Sequence, residues 1–160
     1  MFKLFNKRPI QFTTLEDGFM PQAQTKLSAG YDVRSSESIH LMEGKTYLIG
    51  TNVKIAKCNP KYFLELHPRS SIRKKLGVEG VGIIDSDYRQ EIKMIITPNK
   101  DYNLTKGERI AQLIPKLCLD VTNAEIKKVT RKGGFGSTSL KLSTTDGKLP
   151  KYALNYSEVK

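Results

Sequence analysis

A guanidinium, two hydroxyls and the start of a short helical stretch stand together in "HPRSSIRKKLGV", residues 67–78. Arg69, Ser70 and Ser71 in that order can cradle a phosphate, because a fork of N–H donors, two hydroxyls and free first-turn amides all favour an anion. The same residues also read as a helix N-cap beside a surface arginine, and the motif by itself leaves both readings open. Farther on, "GVEGVGIIDSDYRQE", residues 77–91, sets Gly80 and Gly82 around an apolar run that ends in Asp85, Asp87 and Tyr88. Its alternating glycines predict a hairpin whose backbone comes close to something flat. Asp85, expected half-buried behind Ile83 and Ile84, can take a proton from water as a general base; the competing reading is a turn acid capping its own backbone. Asp32 in "LSAGYDVRSS" adds an acid, and "GERIAQLIP" adds Arg109 and Gln112. Last comes "RKGGFGSTS", residues 131–139, three glycines and three hydroxyls around Phe135. Such a segment buries too little apolar surface to order itself, so it needs something to close on.

The elements that must position these groups are strands. "TYLIGTNVKIA" alternates Tyr47, Ile49, Thr51, Val53 and Ile55 onto one side, "KYFLELH" alternates likewise, and "EIKMIITP" groups Ile92, Met94 and Ile96. "ERIAQLIPKLCLD" reads as a further strand, with Pro115 marking a bend or an edge. The one helix expected is Ser70 to Leu76, led by a hydroxyl and stopped by Gly77. Turn residues at "NPK", "PNKDYN" and "TKGE" cut the chain into many short strands, which suits a closed or double-sheet antiparallel architecture of the jelly-roll kind.

At 160 residues the chain is one domain in size, and 38% apolar residues with no Trp imply a modest core. Cys58 and Cys118 have no CxxC or His spacing, so neither a metal site nor a disulfide framework is expected. No apolar run approaches the roughly 18 residues that span a membrane, and residues 1–8 lack a secretory h-region, so a cytoplasmic protein is expected. A formal charge of +11 favours anionic partners without choosing among nucleotide, nucleic acid and acidic surface. With no cluster of stacking aromatics and no recognition helix, no specific nucleic-acid binding is expected.

Taken in order, "AGYDV", "PRSSI", "GVGIIDSDYRQE", "GERIAQL" and "RKGGFGSTS" resemble the five motifs of the trimeric dUTPase family, the dUTP nucleotidohydrolases, from residue 29 to 139. The resemblance implies an all-β, jelly-roll-like β-barrel of the β-clip kind, a homotrimer with shared active sites, and hydrolysis of dUTP to dUMP and pyrophosphate. In the cell that reaction would keep uracil out of DNA and supply dUMP for thymidylate synthesis. By the same resemblance Asp85 activates the water that attacks the α-phosphorus. Arg69, Ser70, Ser71 and Gln112 grip the phosphates, and Asp32 holds Mg²⁺ through water. Tyr88 packs on the deoxyribose and excludes a 2′-hydroxyl, while the hairpin through Gly80, Val81, Gly82 and Ile83 forms the uracil pocket, with Ile84 also touching substrate. The glycine-rich segment becomes a mobile arm: Phe135 stacks on uracil, Gly136 belongs to the same closure, and Arg131, Ser137 and Thr138 reach the phosphates.

The implied organisation is a barrel over residues 1–129, the arm over 130–139, and a tail over 140–160 that is either disordered or packs through Leu149, Tyr152, Leu154 and Tyr156. Three positions depart from the family pattern. One residue fewer separates Arg131 from Phe135, Glu79 stands where many members carry asparagine, and Gln90 replaces a glycine, asking a side chain to take that turn's backbone angles. Rival readings are a regulatory or protein-binding module on the same scaffold and a relative of dCTP deaminase. A viral member would work in the host cytoplasm.

Overall fold

The described residues, 9–119, 124–125 and 133 of a computed structural model, form ten strands and one helix. In chain order these are β1 Ile10–Thr14, β2 Tyr31–Arg34, β3 Ile39–Leu41, β4 Tyr47–Gly50, β5 Val53–Cys58, β6 Tyr62–Pro68, α1 Ser70–Leu76, β7 Gly82–Ile84, β8 Lys93–Ile96, β9 Tyr102–Leu104 and β10 Arg109–Leu117. Every ladder is antiparallel. The pairs β2·β10, β3·β9 and β4·β8 are nested, the outermost strands pairing outside the inner ones. A long two-stranded ribbon rolled up on itself gives this order, which is the jelly-roll-like barrel expected from the alternating strands. The structure completes one four-stranded sheet, β2-β10-β6-β7, and sets β1 on β5 beside it.

The period-two reading locates the core. Tyr47, Ile49, Thr51, Val53 and Ile55 are all buried, as are Ile92, Met94 and Ile96. Thr51 tolerates burial because its hydroxyl donates to the Ile92 carbonyl at 2.6 Å. Pro115 lies opposite Leu64 on β6, two residues past Leu113, where the pairing with β2 ends. A residue without an N–H is tolerated there because that flank of β10 has already become an edge.

α1 spans the expected residues, and Ile72 and Leu76, one turn apart, turn into the core. Burying each contributes about 1.5–3 kcal/mol. Arg69, in extended conformation, is the cap and offers no side-chain bond, and Ser70 is the first helical residue. The Arg69 amide donates to the Ile110 carbonyl at 3.0 Å, which ties the helix start to β10. Gly77 ends the helix in the left-handed region at φ 64, donating to the Arg73 carbonyl at 2.9 Å. No helix among the described residues is long and apolar enough to cross a membrane.

Candidate active site

β7 joins β6 with Ile84 opposite Leu64 and Gly82 opposite Leu66. The expected hairpin within residues 77–91 does not form: 77–81 and 85–91 carry no ladder, and only Gly82–Ile84 pairs, with β6. Gly77 and Gly80, at φ 64 and 99, take the backbone out of the extended region and so end any self-pairing. The resulting loop walls a cavity of about 670 Å³. Leu66 and Pro68 of β6 and Lys93, Met94 and Ile95 of β8 line its other sides, with Gly82, Ile84, Asp85 and Tyr88 among the lining residues. A methyl group at Gly80 would meet nothing within 4 Å, so open space lies beside that backbone. Its volume is in the range that holds a nucleoside-sized molecule.

Asp85 is exposed rather than half-buried, because it follows the last paired residue of β7. Tyr88 is 5% exposed; its amide donates to the Asp85 carbonyl at 3.0 Å and its hydroxyl to the Glu91 carbonyl at 2.9 Å. The base candidate and the ring are thus fixed to one another by a single turn. Gln90 does not take the strained backbone anticipated for it: among the described residues only Asp17 and Asn52 are non-glycine residues with positive φ. Glu79 lines the cavity and is exposed.

A second group of predicted residues gathers on the four-stranded sheet. Gln112 on β10 lies opposite Asp32 on β2 and opposite His67 on β6. The Asp32 carboxylate, only 9% exposed, has Arg69 Nε 3.3 Å from Oδ1 and Arg109 Nη1 3.3 Å from Oδ2. Two guanidiniums on one carboxylate leave this end of the sheet net positive, an arrangement suited to an anion. Gly30 makes room for Gln112, since a Cβ there would stand 3.1 Å from its Oε1. Ser70 and Ser71 are exposed in the first turn of α1. On β6, the hydrogen bond from His67 to Glu65 at 2.8 Å, with the Lys116 charge behind it, holds the Glu65 carboxyl below the usual range.

The predicted residues therefore fall into two sets, since Asp32, Arg69, Ser70, Ser71 and Gln112 are not among those lining the cavity. Arg131, Phe135, Gly136, Ser137 and Thr138 lie outside the described residues, as does the tail over 140–160. Sequence reasoning missed the β8 wall and the pairing of Arg109. A signal for the first was present: Ile95 falls on the outward side of an alternating strand, where a solvated face would carry a polar residue, and it is 39% exposed.

Comparison with known proteins agrees with this fold. The dUTPase family model matches residues 16–139. The deoxyuridine 5'-triphosphate nucleotidohydrolase of Debaryomyces hansenii is 35% identical over 139 residues, covering 79% of this chain and 84% of its own. That of fowlpox virus is 36% identical over 133 residues, covering 76% and 90%. Among solved structures, the Staphylococcus bacteriophage 80alpha dUTPase shares the fold at TM-score 0.66 and 24% identity, over 78% of this chain and 98% of that one. The chain belongs to the dUTPase family.

Proposed function

We propose that the chain hydrolyses dUTP to dUMP and pyrophosphate, as a homotrimer whose active sites are shared between subunits. The observation that carries the reading is the cavity, a nucleoside-sized slot walled by exposed backbone over residues 80–82, with the buried Tyr88 ring inside and the Asp85 carboxylate on its wall. Uracil lies against residues 80–84, where backbone donors and acceptors match its edge; cytosine would leave them unpaired. Tyr88 closes the sugar side against a 2′-hydroxyl. Asp85 takes a proton from water as the water oxygen bonds to the α-phosphorus, and the bond to the bridging oxygen breaks to release pyrophosphate.

Arg69, Ser70, Ser71 and Gln112 receive the phosphates, helped by first-turn amides of α1 that no side chain caps. Their separation from the cavity-lining residues supports a site completed by a second subunit. The segment over 130–139 closes it, Phe135 and Gly136 on the base, Arg131, Ser137 and Thr138 on the phosphates. Among the described residues no three His, Cys, Asp or Glu gather to hold a metal. Asp32 is a lone, nearly buried carboxylate, which fits an ion held mainly by the triphosphate and reached through water. Asp32 would hold Mg²⁺ in this way, with acceptor sites beyond those used by the two arginines. Bound there, the ion neutralises phosphate charge. The bacteriophage 80alpha dUTPase has been solved with dUpNHpp, which is consistent with a nucleotide in this site. In the cell the reaction would limit dUTP and supply dUMP for thymidylate synthesis.

Pyrophosphate release from dUTP, dCTP, dTTP and UTP with Mg²⁺ tests the proposal. We expect release from dUTP alone, and Asp85→Asn to retain nucleotide binding while losing at least about 100-fold in kcat. Intact dUTP would sink the proposal, and ammonia release from dCTP would replace it with a deaminase.

A further inference from the structure

The turn between β4 and β5 holds Asn52 at φ 55, a backbone conformation that a residue with a side chain adopts only when its surroundings enforce it. The Asn52 amide donates to Glu91 Oε1 at 2.9 Å, and its side-chain Nδ2 donates to the Glu16 carbonyl at 2.9 Å. Glu91 comes from a distant part of the chain, three residues after Tyr88. Its carboxylate enters the turn only because residue 50 is glycine: a Cβ there would stand 2.6 Å from Glu91 Oε1 and 2.9 Å from Ser36 Oγ. The Glu91 carbonyl receives the Tyr88 hydroxyl at 2.9 Å. Its other carboxylate oxygen lies 3.4 Å from Lys93 Nζ, and Lys93 lines the cavity. Beyond it, Ile92 is pinned to Val53 at 2.8 Å and to the Thr51 hydroxyl at 2.6 Å.

We infer that Glu91 is a positioning residue for nucleotide selection: its carboxylate, bolted into the β4–β5 turn, fixes the carbonyl that holds the Tyr88 hydroxyl. The anchored ring then sets how tightly the sugar side of the cavity closes, and so how strongly a 2′-hydroxyl is refused. Removing the carboxylate frees the Asn52 amide and lets the segment carrying the carbonyl drift, and an angstrom of drift admits a hydroxyl. This rests on the reading of Tyr88 as the wall against the sugar.

The readout is the ratio of kcat/KM for dUTP to that for UTP, which a merely structural residue would not move. Glu91→Ala should lower the ratio about tenfold, chiefly through a gain on UTP. Glu91→Gln, which keeps an acceptor oxygen of the same shape, should retain the ratio to within about threefold. Gly50→Ala should lower it as Glu91→Ala does, by displacing the carboxylate. Tyr88→Phe should also lower it, and combining it with Glu91→Ala should add little, because both break the same anchor. If Glu91→Ala slows both nucleotides equally, or costs only thermal stability, the inference is overturned. A ratio that falls in Tyr88→Phe and stands in Glu91→Ala would overturn it while leaving the Tyr88 wall intact. Wild-type protein that cleaves dUTP and UTP alike, or cleaves neither, would overturn it together with the proposed function.

Discussion

Asp32 shows how one residue type carries two possible meanings. As a sequence letter in "AGYDV" it reads as a strand-edge acid or, by resemblance, as a metal holder; the structure adds that both its oxygens face guanidiniums. That pairing orients Arg69 before any anion arrives, and Arg109 shares the load. Arg109→Met leaves the Asp32 carboxylate to Arg69 alone and removes one positive charge from this end of the sheet, so it should raise the KM for dUTP several-fold with little change in kcat and cost about 1 kcal/mol of stability in urea unfolding. Glu65 offers a pH test. His67 chiefly, and Lys116 behind it, favour its charged form, so its folded pKa is depressed. The stability it adds is fully present above its unfolded value, about 4.3, and is lost as the pH falls through the depressed folded value. The gap in thermal stability between wild type and Glu65→Gln should therefore close on acidification below roughly pH 5. The arginine pair was not legible in the sequence, because it joins segments far apart in the chain; the His67 contact lies within β6, two residues from Glu65, where the alternation of a strand puts both side chains on one face.

At the scale of elements the sequence was most informative where local chemistry decides. α1 matched its expected span because Gly77 alone can end it at φ 64. Gly77→Ala should cost about 1 kcal/mol for the left-handed backbone, plus whatever is needed to move Asn99, whose Nδ2 would lie 2.6 Å from the new Cβ. Ile72→Ala, which empties a fully buried position, should cost about 2–5 kcal/mol in the same denaturant titration. The hairpin expected within 77–91 failed for the same kind of reason that the helix succeeded. Glycines permit extended backbone but do not require it, and two of them take positive φ instead. Asp85 was misjudged as half-buried because two preceding isoleucines suggested a core, whereas Ile83 is 58% exposed on the outward side of β7.

At the scale of the whole molecule, alternation along single strands revealed the class of fold, but the nesting of β2·β10, β3·β9 and β4·β8 depends on contacts that no local pattern encodes. Large apolar side chains stay exposed on a single chain, Leu27 at 92% and Leu117 at 64% among them, which a closed oligomer would cover. Sedimentation equilibrium should give three times the chain mass of 18.0 kDa; a monomer at micromolar concentration would contradict the shared-site proposal. The division of the site residues into a cavity set and a sheet set reaches further, into genetics. If one subunit lends Asp85 and another lends Arg69, then Asp85→Asn and Arg69→Ala proteins, each inactive alone, should recover activity when unfolded together and reassembled, because some mixed sites will contain neither lesion. A damaged copy of this gene could be rescued by a differently damaged one, and two lesions confined to the same set could not rescue each other.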